Sequence, residues 1–120
     1  MKHTNNLLKS FVHASNGIAH ASNERNVRVH LVATACVLVF AYVLHLSAIE
    51  WALTLSAIVL VLITEFINTC IELICDLITT EYSPLIKQIK DIAAASVVLS
   101  AVYALAIAIL ILYPKILLYI

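Results

Sequence analysis

From Ile92 to Tyr113 the chain carries no charged side chain, and two more long apolar runs precede it, Val27 to Leu46 and Trp51 to Cys75. Each matches the length of helix, about 20 residues, that crosses a bilayer core. In a chain of 120 residues such runs have no soluble alternative, because a small domain buries only a modest fraction of its surface. Hydrophobic residues make up 63% of the chain, which excludes disorder. Seven Lys and Arg balance seven Asp and Glu, so there is no positive excess to neutralise a nucleic-acid backbone, and nucleic acid is not expected as a partner. The reading is an all-α integral membrane protein, a single domain over residues 1–120.

Local signals place the boundaries. Ser47-Ala48-Ile49-Glu50 reads as a capping box and starts the second span. Ser83-Pro84 reads as an N-cap followed by proline in the first turn. Pro114 is expected to end the third span or kink its last turn. Transmembrane helices are thus expected over residues 27–46, 48–78 and 85–113. Residues 4–23 differ: Leu7, Leu8, Phe11, Val12 and Ile18 fall on one helical face and Asn5, Lys9, His13, Asn16 and His20 favour the other. This pattern predicts an amphipathic helix lying in the membrane interface. Basic residues set the orientation. Lys2, Lys9, Arg25 and Arg28 precede the first span, Lys87 and Lys90 follow the second, and the first hairpin turn has neither Lys nor Arg. The N-terminus and the connection between the second and third spans are therefore expected in the cytoplasm, with the C-terminus outside. Cys36, Cys70 and Cys75 lie within spans at no metal-binding spacing and read as free thiols.

The charges that do enter lipid form a pattern. Glu65, Asn68, Glu72 and Asp76 are spaced by 3, 4 and 4 residues, which keeps them within about 80° of arc on one helix face. Such groups are costly in a bilayer and need partners, water or ions. Carboxylates and an amide oxygen suit a hard divalent cation, which in turn bridges nucleotide phosphates. Glu24 stands at the same membrane side, as do Lys90 and Asp91. Three readings fit these residues: a metal–nucleotide enzyme, a proton or cation pathway, and a polar seam between subunits. No glycine-rich loop or Walker sequence is present, which argues against a soluble phosphate-binding architecture.

The same residues carry a family resemblance. Gly17-Ile18, Glu24-Arg25-Asn26 with Arg28 and His30, the segment Glu65 to Asp76, and Glu81 with Lys90-Asp91 together resemble the prokaryotic diacylglycerol kinase and undecaprenol kinase family over roughly residues 11–100. The resemblance implies a homotrimeric bundle with active sites between subunits, in a bacterial cytoplasmic membrane. It implies transfer of the γ-phosphoryl group of ATP, with Mg²⁺ (Mn²⁺ as the alternative ion), to a lipid alcohol. By motif position Glu65 is the base and Asn68 arranges the reacting groups. The resemblance implies that Glu24 and Glu72 ligate the metal and that Arg25, Asp76, Glu81, Lys90 and Asp91 are nucleotide-side residues. The Glu24-Arg25-Asn26 cluster with Arg28 and His30 is similar to the undecaprenol kinase branch, which implies a polyprenol acceptor before diacylglycerol.

Overall fold

The computed structural model of the chain describes residues 2–120. It is all-α, with α1 at Lys2–Ala21, α2 at Arg25–Val43, α3 at Ala48–Ile78 and α4 at Pro84–Leu117. The last three are each long and apolar enough to cross a membrane, so the chain is built as a multi-pass membrane protein.

The caps explain the helix starts. Ser47 Oγ accepts from the Glu50 N–H at 3.3 Å while the Ser47 N–H donates to Glu50 Oε2 at 2.8 Å, so the capping box at the head of α3 is complete. At α4 the Ile86 N–H donates to Ser83 Oγ at 3.4 Å, and Pro84 opens the first turn, where its missing N–H leaves no bond unmade.

Helix ends depart from the sequence expectation by more than two residues at two places. α2 stops at Val43 because His45 takes a left-handed conformation, φ 53°. The Leu46 N–H then reaches back to the Ala41 carbonyl at 3.3 Å, and the His45 N–H to that of Tyr42 at 3.2 Å. This is a Schellman motif, which satisfies the last carbonyls of the helix. Leu46 folds onto Ala41, Leu44 and Ile111 to make the small core at this end, with Trp51 against it. α4, in turn, neither ends nor breaks at Pro114 but continues to Leu117. A proline near a helix end removes one backbone bond and leaves the turn beyond it free to close. Lys115 in that turn is anchored, its Nζ 3.0 Å from Glu50 Oε2 and 3.4 Å from the His45 carbonyl.

α3 is the central element. It pairs antiparallel with α4 along its length and also packs against α2, with all three helices lining shared cavities. Polar rungs mark the α3–α4 register: Glu50 with Lys115 at one end, Ser56 with Tyr103 and Thr64 with Ser100 between, and Asp76 with Lys90 at the other end. The molecule measures 53 × 49 × 20 Å. A helix rises about 1.5 Å per residue; α4 with its 34 residues accounts for one long dimension, and α1 running out sideways accounts for the other. The described side chains of α1 stay exposed from Asn5 to His20, including Leu7, Leu8, Phe11 and Val12, so its apolar face is not covered by the rest of the chain. The outward faces of the spans are likewise apolar, as at Val32, Val39, Leu99 and Leu110.

Candidate active site

The four polar residues of α3 share a face, as their spacing requires, and the packing of α2 and α4 grades their access to water. Glu65 is 2% exposed and Asn68 4% exposed. Glu72 is half-buried and Asp76 is exposed at the helix end. One helix face thus runs from a dry carboxylate inside the bundle to a wet one at its rim.

Each residue has its own neighbour. Glu65 Oε2 lies 3.5 Å from His30 Nε2 on α2, within ion-pair distance. Asn68 Nδ2 donates to Glu72 Oε1 at 3.3 Å. That bond fixes the amide, because turning it over would set its oxygen against the carboxylate. Asn68 Oδ1 is consequently buried with no hydrogen-bond partner. Asp76 Oδ1 accepts from Lys90 Nζ at 2.7 Å. Lys87 and Asp91, one turn apart on α4, pair at 2.6 Å and are both exposed.

Glu24 follows α1 and, with Gly17 and Ala21, lines one wall of a cleft of about 450 Å³; Thr69, Cys70 and Leu73 of α3 line the other. Glu72 is not part of that lining, since it lies roughly a quarter turn round α3 from the cleft. Arg25 is the exposed first residue of α2, and Glu81 lies exposed in the connection before α4. The structure therefore brings Asn68 to Glu72 and Asp76 to Lys90, does not bring Glu24 to Glu72 but sets it across a cleft from Thr69, Cys70 and Leu73, pairs Asp91 with Lys87, and leaves Arg25 and Glu81 at the rim.

Two contacts had no place in the sequence reading. His30, which only the family resemblance had singled out, turns to Glu65. Thr64 and Ser100 share a hydrogen bond at 2.8 Å one residue from that carboxylate. An antiparallel count back from the hairpin at His45 sets His30 level with about residue 60, roughly a turn and a half short of Glu65, so the count gives the neighbourhood and the side chains make the contact.

The donor set can be tested against Mg²⁺. Among the described residues no three His, Cys, Asp or Glu side chains gather at one point. A nucleotide-borne Mg²⁺ does not require such a cage, being bound through one or two carboxylates plus the phosphates themselves. The Glu72 carboxylate, beside the unpartnered oxygen of Asn68, supplies donors of the right hardness. The residues present fit the ion.

The chain matches the family model for prokaryotic diacylglycerol kinase over residues 12–112. It is 42% identical over 112 residues to the undecaprenol kinase of Bacillus subtilis (strain 168), an alignment covering 92% of this chain and 91% of that protein. It is 38% identical over 114 residues to a diacylglycerol kinase of Synechocystis, covering 93% of this chain and 65% of that protein. With the diacylglycerol kinase of Escherichia coli (strain K12) it shares 35% identity over 82 residues, 68% of this chain and 67% of that one. A match running through α2, α3 and α4, with the buried acidic face inside it, places the chain in the prokaryotic diacylglycerol kinase family, as an ATP-dependent lipid kinase acting on a membrane alcohol.

Proposed function

We propose that the chain phosphorylates undecaprenol, transferring the γ-phosphoryl group of Mg-ATP directly to the terminal hydroxyl of the lipid. The observation that carries this reading is the graded face of α3, dry at Glu65 and wet at Asp76. A reaction between a lipid alcohol and a water-soluble nucleotide needs both environments within a few helical turns. The lipid hydroxyl comes in from the bilayer to Glu65, which aligns it and takes its proton. Asn68, held by Glu72, offers its free carbonyl oxygen beside the reacting groups. Glu24 and Glu72 are the groups to hold Mg²⁺, which when bound offsets phosphate charge. Lys90 neutralises phosphate at the rim, with Arg25, Asp76, Glu81 and Asp91 as nucleotide-side residues. In-line displacement leaves ADP and the lipid phosphate; no phosphoenzyme is needed.

Several observations support the setting. The distribution of Lys and Arg supports a cytoplasmic setting for α1 and the α3–α4 connection, in what we propose is a bacterial membrane. The uncovered apolar face of α1 suits the interface. Exposed small residues, Ala33 and Ala35 on α2 and Ala94 and Ala95 on α4, permit close approach of neighbouring subunits, and we propose a homotrimer with sites completed between chains. Undecaprenol is chosen over diacylglycerol because the Bacillus subtilis relative named for it aligns over nearly the full length of both chains.

The test offers undecaprenol and diacylglycerol, separately and in competition, to purified protein with γ-labelled ATP and Mg²⁺. Label should enter undecaprenol in preference and be lost in Glu65→Gln. Label entering mainly diacylglycerol reverses the choice of acceptor and keeps the mechanism. Cation flux into sealed vesicles without ATP, and no label in either lipid, would overturn the kinase reading.

A further inference from the structure

Every turnover of the proposed reaction leaves one proton on a carboxylate with almost no access to water. The Glu65 side chain is 3% exposed. A base so enclosed is regenerated only if the proton has a way out. The contact that the chain provides is His30: Nε2 lies 3.5 Å from Glu65 Oε2, and the imidazole is 24% exposed, so it links the enclosed carboxylate to the surface of the chain.

The surroundings leave few other routes. The cavity beside His30, about 160 Å³, is walled by Ala33, Val37, Ile58, Val61, Ala101 and Ala104 with Thr34 as the one further polar side chain, a mostly apolar lining that gives water few hydrogen-bond partners. α3 presents Glu65 itself, then Asn68, and beyond it Glu72. α4 carries no charged residue between Asp91 and Lys115; near Glu65 it offers the Ser100 hydroxyl, which is bonded to Thr64 and to the Val97 carbonyl. On α2 the nearest other charge is Arg28, two positions before His30 and permanently protonated. Among these groups the imidazole alone has one ring nitrogen that accepts a proton while the other can release one.

We propose that His30 is the proton outlet of Glu65, a positioning residue that acts through the carboxylate and never touches the lipid. The inference rests on the assignment of Glu65 as base. The lipid O–H bond breaks as its oxygen bonds to Pγ and the bond from Pγ to the β-phosphate oxygen opens. The proton passes to Glu65 and then to Nε2 of His30. The imidazolium gives one proton to water, restoring the neutral ring, and ADP departs. Between turnovers the same contact holds the Glu65 carboxylate in one orientation.

The experiment compares the full-length wild type, Glu65→Gln, His30→Gln and His30→Ala in detergent micelles. It records kcat and the KM for ATP from about pH 6 to pH 9, with and without added imidazole. His30→Gln keeps a polar side chain of similar reach but carries no proton; kcat should fall at least about tenfold while the KM for ATP stays within about twofold. The pH profile of kcat should change shape in both His30 variants. Imidazole should restore His30→Ala in proportion to its concentration and leave the wild type unaffected. If both His30 variants keep the wild-type kcat and pH profile, the outlet is overturned. A fall in kcat with the profile unchanged and no response to imidazole overturns it too, since that marks a structural role; His30→Gln alone decides should His30→Ala fail to assemble. Glu65→Gln separates the two readings. Activity retained in that variant overturns Glu65 as base, whereas activity lost there with normal His30 variants overturns only the outlet.

Discussion

Lys90 on α4 donates to Asp76 on α3 at 2.7 Å, closing the α3–α4 hairpin at the wet end of the acidic face. Lys87, one turn earlier on the same helix, spends its charge on Asp91 instead. The two lysines thus hold different posts: one ties two helices together beside the candidate site, the other makes a local pair on the surface of one helix.

That difference predicts different kinetics. In the proposed reaction Lys90 is the phosphate partner and would exchange Asp76 for the nucleotide without moving the backbone. Lys90→Met should raise the KM for ATP about tenfold or more. Lys87→Met removes only an exposed i, i+4 pair and should change the KM by less than about twofold. Steady-state kinetics at two ionic strengths check both; equal effects of the two variants would remove Lys90 from the phosphate site.

Glu72 takes the Asn68 amide on one oxygen. Glu72→Gln preserves shape and removes the charge that a cation needs. It should raise the Mg²⁺ concentration for half-maximal rate at least about tenfold while the assembly stays intact. Glu24→Gln should act in the same direction. Metal titration of initial rates, paired with size-exclusion chromatography, measures both effects.

The spans and the acidic face were legible from the sequence because hydrophobic run length and helical spacing are local properties. Ser47 and Glu50 announced the head of α3, and Ser83 with Pro84 the head of α4. What the sequence concealed depends on contacts between helices. His45 carries no glycine-like signal for a left-handed turn, and only closure of Leu46 onto Ala41 and Ile111 selects it. Pro114 reads as a stop until Lys115 is seen anchored to Glu50. The grading of Glu65 to Asp76 from dry to wet follows from how α2 and α4 flank α3, which spacing alone does not encode.

Gly17 provides a direct test of the cleft. A methyl group added there would meet nothing within 4 Å, so the fold does not require glycine at this position. Glycine inside a helix costs about 1 kcal/mol relative to alanine, and Gly17→Ala should leave stability unchanged or slightly raised. Gly17→Leu projects a larger group from α1 into the space opposite Thr69 and Leu73, beside Glu24. It should lower turnover at least about tenfold with no loss of thermal stability, if the cleft admits a substrate. Wild-type turnover in Gly17→Leu would show that neither substrate uses the cleft.

The hairpin at the opposite end gives a prediction for stability without activity. His45 holds φ 53°, a conformation that costs an L-residue roughly 1 to 2 kcal/mol and glycine almost nothing. The contacts of this turn run through the backbone: its N–H to Tyr42 and its carbonyl to Lys115. A glycine here keeps both bonds and relieves the strain, at the expense of a more flexible unfolded chain. His45→Gly should therefore stabilise the protein by up to about 1 kcal/mol, and His45→Val, β-branched at a left-handed position, should destabilise it by more than that. Thermal denaturation in detergent gives the order. The turn lies at the far end of α3 from Asp76 and Lys90, so kcat should be the same in both variants at temperatures where both are folded. A change in kcat that tracked the change in stability would mean that the α2–α3 hairpin and the acidic face move together, with the Glu65–His30 contact as the natural point of coupling.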